Sequence, residues 1–314
     1  MTQLSSAALK SAVQFNRSRP YSRADWRRIQ QAVGSGVDGV PGAGTAEKIA
    51  LFQSKRGLSA DGKAGQQTLQ TMGITIIDRN SVYAVPKPEA LFFCGGMAID
   101  ADGAPNAYNE EDTGIDYLAN AGRPGNWYGL SVDDNGRPYK QKDGPFAGHY
   151  VSTTALADGN YGKSDPRRYV DSTKIPYIAL PGNFASLVAN GDSMRKGDLL
   201  AVIAESDLAD SDGRDLIYAI YADVGPKHSA ERPHLGEGSV ALAQALGHDP
   251  FVIRKDITRA SRSITSELVY ILFPGSGDRK PLTASEIESR GQAAFEQRGG
   301  VTLLGAIRKM LGLN

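Results

Sequence analysis

Apolar positions change their period along the chain. From Trp26 to Met72 they recur at helical spacing: Trp26, Ile29 and Val33, then Ile49, Leu51 and Phe52, then Leu69 and Met72. Between these groups Asp38-Gly39-x-x-Gly42-x-x-Thr45 returns 23 residues later as Asp61-Gly62-x-x-Gly65-x-x-Thr68. In each copy Asp-Gly makes a tight turn, the second glycine relieves the backbone, and Thr is placed to cap the next helix. A duplicated unit of this kind predicts a small three-helix bundle joined by glycine turns. Residues 73–90, with Pro86 and Pro88, read as a linker. From about 91 to 278 short apolar runs alternate with Gly, Asp, Asn and Pro clusters, the texture of a β-rich domain. Strands are expected at His149–Thr154, Pro176–Leu180, Asp198–Ala204, Leu216–Ala222 and Leu268–Phe273. One helix is expected at Ser239–Leu246, capped by Ser239 and ended by Gly247. Thr283–Leu313 reads as two more helices, the last with Leu303, Leu304, Ile307, Met310 and Leu311 on one face.

Charge sharpens this division. The 314 residues carry 35 Lys+Arg and 35 Asp+Glu, net +0, which argues against a nucleic-acid partner. Residues 1–75 hold 10 basic and 4 acidic side chains, and the remainder 25 and 31, so two modules with different partners are expected. Apolar runs stop at about six residues, whereas a membrane span needs roughly 20. Met1 to Arg28 lacks the apolar core, roughly 7–15 residues long, of a secretory signal, so a standard export route is not expected. Cys94 is the single cysteine, so no intramolecular disulfide forms.

The repeat resembles the peptidoglycan-binding domain of bacterial cell-wall hydrolases, which carries the D-G-x-x-G-x-x-T turn twice around a helix ending in F-Q and followed by G-L. Here those are Phe52-Gln53 and Gly57-Leu58, with Ser59-Ala60-Asp61-Gly62 after them. Taken singly, Asp38, Thr45, Asp61 and Thr68 read as turn and cap residues. The basic surface of the module suits an anionic wall polymer.

Glycoside hydrolysis needs one carboxylic acid to protonate the leaving oxygen and a second carboxylate to activate water or attack. Asp223 ends the strand Leu216–Ala222 and, by alternation, is expected to share the face of Ile217, Ala219 and Tyr221, at the rim of a core that raises its pKa. Glu237 lies in His234-Leu235-Gly236-Glu237-Gly238-Ser239, between glycines that allow close backbone approach. A helix begins just behind it, which would favour its ionised form.

The second domain resembles glycoside hydrolase family 75, the fungal-type chitosanases. The resemblance is carried by Met97-Ala98-Ile99-Asp100-Ala101-Asp102-Gly103-Ala104, Tyr150-Val151-Ser152, Arg168-Tyr169-Val170-Asp171 with Ile175-Pro176-Tyr177, Gly197-Asp198-Leu199, Tyr218 to Pro226, Gly236 to Ala243, and Phe273-Pro274-Gly275-Ser276-Gly277. It implies a barrel-like catalytic domain, inversion at the anomeric carbon, and a catalytic pair at Asp223 and Glu237. The segment between the two acids is longer here, with Lys227, His228, Glu231 and Arg232 inserted.

The predicted fold class is therefore α+β: a peptidoglycan-binding helical domain over 1–75, a linker over 76–90, a β-rich, barrel-like hydrolase domain over 91–280 and a helical tail over 281–314. Substrate-binding candidates are Asp100, Asp102, Trp127, Tyr128 and Tyr150. The two aspartates open a stretch, 98–116, with Glu110, Glu111, Asp112 and Asp116 but no Lys or Arg, which reads as a solvated loop or as a subsite for cationic glucosamine. Trp127 and Tyr128 either stack on sugar rings or pack in a core. Asp100-x-Asp102-Gly103 lacks the further spaced ligands of a calcium loop. His149, His228, His234 and His248 form no H-x-H or H-E-x-x-H, so zinc is not expected. Cys94 follows Leu91-Phe92-Phe93 as a buried thiol, and no Gly-x-Ser-x-Gly occurs. No metal or cofactor is expected.

The function expected is a cell-wall glycosidase cutting a β-1,4 amino-sugar backbone, with Glu237 as acid and Asp223 as base, an order that the helix start behind Glu237 leaves open. The attached module favours peptidoglycan, and the resemblance favours chitosan. A wall amidase or peptidase and a non-catalytic wall-binding protein are the rival readings. A toxin or endolysin made in the cytoplasm and acting on a target wall fits the missing signal. The tail at 301–313 is expected to pack on its own domain, with a secretion carrier or an inhibitor protein as its alternative partner.

Overall fold

The computed structural model describes all residues except 1–3, 20, 75, 78–80, 87–88, 189–192, 230–231 and 314, so Pro88 and Glu231 lie outside the described residues. Chain contacts divide it into two units: Met1–Arg79 with Ile307–Asn314, and Asn80–Ala306.

The first unit contains α1 (Ser6–Arg17), α2 (Arg23–Val33), α3 (Ala43–Lys55) and α4 (Gln66–Met72). The helices that the periodicity predicts are α2 to α4, and they pack Trp26, Ile29, Ile49, Ala64 and Leu69 into one core. A further helix, α1, precedes the predicted three; Leu9, Ala12 and Val13 recur in it at helical spacing, and it buries Ala12 and Asn16. Thr45 and Thr68 do not cap their helices. Gly42 and Gly65 hold the cap positions, and the threonines lie inside the first turn. There each hydroxyl accepts an N–H from a buried glutamine, Gln30 (3.2 Å) or Gln53 (3.0 Å). The same amide group donates to Asp38 (2.7 Å) or Asp61 (2.9 Å), and its oxygen accepts the N–H of Gly39 (2.7 Å) or Gly62 (2.8 Å). The duplication thus extends to a fifth position, Gln30 and Gln53, and its polar side chains serve the turns. The last residues, Ile307–Asn314, group with this unit, contrary to the expectation that the tail packs wholly on the hydrolase domain. Arg28 donates to the Leu311 carbonyl.

The second unit carries β1 (Tyr83–Pro86), β2 (Glu89–Asp100), β3 (Gly122–Arg123), β4 (Asn126–Trp127), β5 (Tyr177–Pro181), β6 (Leu199–Ala204), α5 (Glu205–Leu208), β7 (Ile217–Gly225), β8 (Glu237–Ser239), α6 (Val240–Ala245), β9 (Phe251–Arg254), β10 (Ile257–Ala260), β11 (Ile264–Phe273) and α7 (Ala284–Gln297); α8 (Val301–Leu311) follows. The sheet order is β1-β2-β11-β6-β7-β5-β8, and a further pairing of β8 with β2 closes the last six strands into a barrel. Four of the five expected strands form. His149–Thr154 does not: Tyr150 and Ser152 make only single bridges, to Lys140 and Leu130, with no ladder. The segment read as a linker contains β1, an edge strand that tolerates Pro86 at its end, and the start of β2. Ser239 caps α6, its hydroxyl accepting the N–H of Leu242 at 3.1 Å.

Two of this unit's apolar clusters bear on the site. Phe93, Met97, Ile178, Leu180, Leu200, Tyr221, Leu242 and Tyr270 fill one, with Phe93 and Tyr270 stacked at 4.4 Å. Ala104, Ala107, Tyr108, Ile115, Ala121, Leu130, Val240 and Ala260 form the other, under the long loop after β2.

Closure depends on the three residues of β8, which pair in parallel with β2 and antiparallel with β5. Gly236 precedes them with φ +87°, and a Cβ there would overlap the Gly96 carbonyl oxygen. Its own carbonyl accepts the N–H of Ala98 at 2.9 Å. Only glycine meets both demands. Gly236→Ala is expected to cost more than about 2 kcal/mol. Chemical denaturation beside Gly148→Ala, a glycine with φ +89° and open space around it, separates the clash from the φ penalty.

Candidate active site

Strand register assembles the site. Ala98 on β2 lies opposite Glu237 on β8, Glu237 lies opposite Ala179 on β5, and Ala179 lies opposite Asp223 on β7. Paired positions project to the same face of a sheet. Asp223 and Glu237 therefore flank one small side chain, two strand spacings apart, which sets their Cα atoms roughly 10 Å from one another. Asp100 follows two residues after Ala98 and joins the same face.

Asp223 does not share a face with Tyr221, as simple alternation predicts. The register shifts from Ile178↔Tyr221 to Ala179↔Asp223, so β7 carries one extra residue, Ala222, against β5. This bulge leaves Tyr221 in the barrel core and turns Asp223 to the outer face.

The resulting cleft has a volume of about 610 Å³, and Asp100, Asp102, Asp116, Asp223, Glu237 and Tyr128 are among the residues that line it. Of the candidates read from sequence, these include both proposed catalytic acids, both loop aspartates and Tyr128, which is 67% exposed. Trp127 and Tyr150 are instead packed against the second core. Glu110 pairs with Lys140 at 2.5 Å and Asp112 with the buried Arg259 at 3.3 Å, so the acidic stretch divides into cleft-lining and surface members. Arg259 also donates to the carbonyls of Gly114 and Asp116, at 2.9 and 2.6 Å, which fixes the loop over the cleft.

Burial is the leading cause of a raised pKa at all five acids. Asp100 and Asp102 are held well above the ordinary carboxylate range, by burial and then by neighbouring carboxylates. Glu237 is pushed up to about 7 by burial, then by the charges of Asp223 and Asp116. The helix behind Glu237 has only six residues, and its pull toward ionisation is outweighed. Asp223 is also raised, but the N–H groups of Val224 and Ala155 and the charge of Lys196 act against its burial. The Ala155 bond is 2.8 Å long.

Asp100, Asp102 and Asp223 bring carboxylate oxygens within 4.8 Å of one another. A divalent cation can span such a set, and so can shared protons. Sequence spacing gave only the first two, because Asp223 arrives from a distant strand. Tyr108, which sequence reasoning missed, points to protons. Its hydroxyl lies 2.8 Å from Asp102 and 2.9 Å from Asp116. A phenol has one proton to give, so keeping both contacts requires a proton on one of the two carboxyls.

The family model described as fungal chitosanase of glycosyl hydrolase group 75 matches residues 97–300, more than half of the chain. The chain belongs to glycosyl hydrolase group 75. A peptidoglycan binding domain matches residues 26–72. Among curated proteins, none matches the chain. This group 75 member is thus a glycoside hydrolase with a wall-binding module, a combination suited to degrading cell wall or chitosan.

Two outcomes are expected for this cleft. Glu237 titrates at about 7 when folded and near its ordinary 4.5 when unfolded, so the folded chain binds more protons between those values. Stability is therefore lost as pH rises through that window, by about 3 kcal/mol from this group. Denaturation at pH 5 and pH 8 should show the fall, and Glu237→Gln should reduce it. Secondly, a Cβ on Gly225 would stand 2.5 Å from Glu237 Oε2, the mobile end of that side chain. Gly225→Ala should displace the carboxylate, lowering kcat at least about tenfold while shifting stability by less than about 1 kcal/mol.

Proposed function

We propose that the enzyme hydrolyses the β-1,4-linked glycan strand of peptidoglycan with inversion, Glu237 protonating the leaving oxygen and Asp223 activating water. The observation carrying this reading is the placement of the two acids on either side of Ala179, with unequal surroundings. Glu237, pushed up to about 7, keeps its proton for the departing sugar. Asp223, held by two N–H groups and Lys196, is the acid better able to stay ionised. The strand spacing between them is compatible with the roughly 6.5–9.5 Å carboxyl separation that leaves room for a water.

The attached peptidoglycan-binding module supports the substrate, since a binding module concentrates an enzyme on the polymer it holds. Such an enzyme acts where wall is exposed, outside cells or in the periplasm of a target cell, as an endolysin or a delivered toxin would. Chitosan is the second reading, favoured by the chitosanase description of group 75.

Mass spectrometry of digests of purified peptidoglycan and of chitosan tests both. New reducing ends at muramic acid are expected from the wild type, with α-anomeric products by NMR. Asp223→Asn and Glu237→Gln should each lower kcat by about 10²–10⁴. Cleavage of chitosan alone would overturn the muramidase reading, and new amines without reducing ends would overturn glycosidase action on the wall.

A further inference from the structure

A second cleft adjoins Asp223 and carries the opposite charge. It has a volume of about 480 Å³ and is lined by Ala155, Leu156, Ala157, Met194, Tyr221 and three cations, Arg195, Lys196 and Arg279. All three cationic side chains are exposed. Among the described residues none of them forms an ion pair.

Its position is fixed by bonds to the acid cleft. Ala155, on its wall, donates its N–H to Asp223. The carbonyl of Tyr221 accepts the N–H of Gly197, at 2.8 Å, and the charge of Lys196 reaches Asp223. The two cation-bearing loops are tied by one buried carboxylate. Asp198, 1% exposed, accepts the N–H of Arg195 (2.8 Å), Gly275 (3.0 Å) and Gly277 (2.9 Å). Gly197 lies so close to Arg279 that a Cβ would meet its backbone at 2.8 Å, and Arg279 itself is held at φ +63°. A bulky residue in that conformation persists only where its surroundings impose it, and such residues cluster at ligand sites.

We propose that this cationic cleft is a subsite for a carboxylate carried by the sugar next to the scissile bond, gripped by Arg195 and Arg279 with Lys196 beside them. Guanidinium groups suit a carboxylate, and three exposed cations, of which only Lys196 bears on a carboxylate of the neighbouring cleft, repel the ammonium groups of chitosan. The ligand class rests on the peptidoglycan reading. In the wall such a carboxylate is either the lactyl group of muramic acid, free on strands stripped of peptide, or a carboxylate of the stem peptide.

Calorimetric titration of the Glu237→Gln protein, which binds without turnover, tests the subsite. The probes are a muramic-acid-containing oligosaccharide without peptide, the same glycan with its carboxyls reduced to alcohols, and a peptide-bearing glycan. One of the acidic probes should bind about tenfold tighter than the reduced glycan, and which one does so identifies the source. Adding Arg195→Ala and Arg279→Ala should bring that advantage close to unity. Arg195→Glu should shift preference toward chitosan oligomers. Equal binding of acidic and reduced glycans, or an advantage that survives the double substitution, would overturn the subsite. Should the wild type cut only chitosan while the carboxylate advantage holds and is lost in the double variant, the subsite stands and the muramidase reading falls. Cleavage of peptidoglycan with no such advantage removes the subsite alone.

Discussion

A three-residue strand holds the hydrolase domain together. Through β8 the barrel closes, and through β8 the chain places Glu237 between β2 and β5. Backbone contact with Gly96 permits this only because residue 236 has no side chain. Closure and the placement of Glu237 are therefore one event. The acid that reads as a loop residue in sequence is anchored on both sides by backbone ladders, and its position is as rigid as the sheet.

The second governing constraint is Coulombic. Five carboxyls around one cleft cannot all ionise where water is partly excluded, so protons are shared among them. Tyr108 makes that sharing visible, because its single proton cannot satisfy two aspartates. A cleft counted as strongly acidic from its formula is much less so in its folded state. The negative net charge of residues beyond 75 is thus a poor guide to substrate charge: much of it lies in a cluster that holds protons, while three exposed cations stand next to it.

Much of the architecture was legible in sequence because it follows from local rules. The helices α2 to α4, four barrel strands and the Ser239 cap all arise from apolar period and turn chemistry. The catalytic candidates came from strand-end position and flanking glycines, with the family resemblance behind them. What escaped was non-local. The lining role of Asp116 depends on Arg259 fixing the loop, and that of Tyr108 on bonds to Asp102 and Asp116 that only the fold creates. Trp127 and Tyr150 have the chemistry of sugar-binding residues, but they pack, partly buried, against the second core and do not line the cleft. His149–Thr154 has the alternation of a strand, but its backbone bonds are divided between residues 139–141 and 129–131 as isolated bridges, so no ladder extends.

The bulge in β7 makes the chemistry depend on residue count as well as residue identity. Ala222 is the extra residue that rotates Asp223 out of the core while Tyr221 stays inside. Substitution at Ala222 leaves that parity intact, but deletion of one residue would reverse it, burying the carboxylate and exposing its neighbour. Replacement in the surrounding loops leaves that parity untouched, whereas an odd insertion or deletion just upstream of Asp223 would turn its carboxylate away from the cleft.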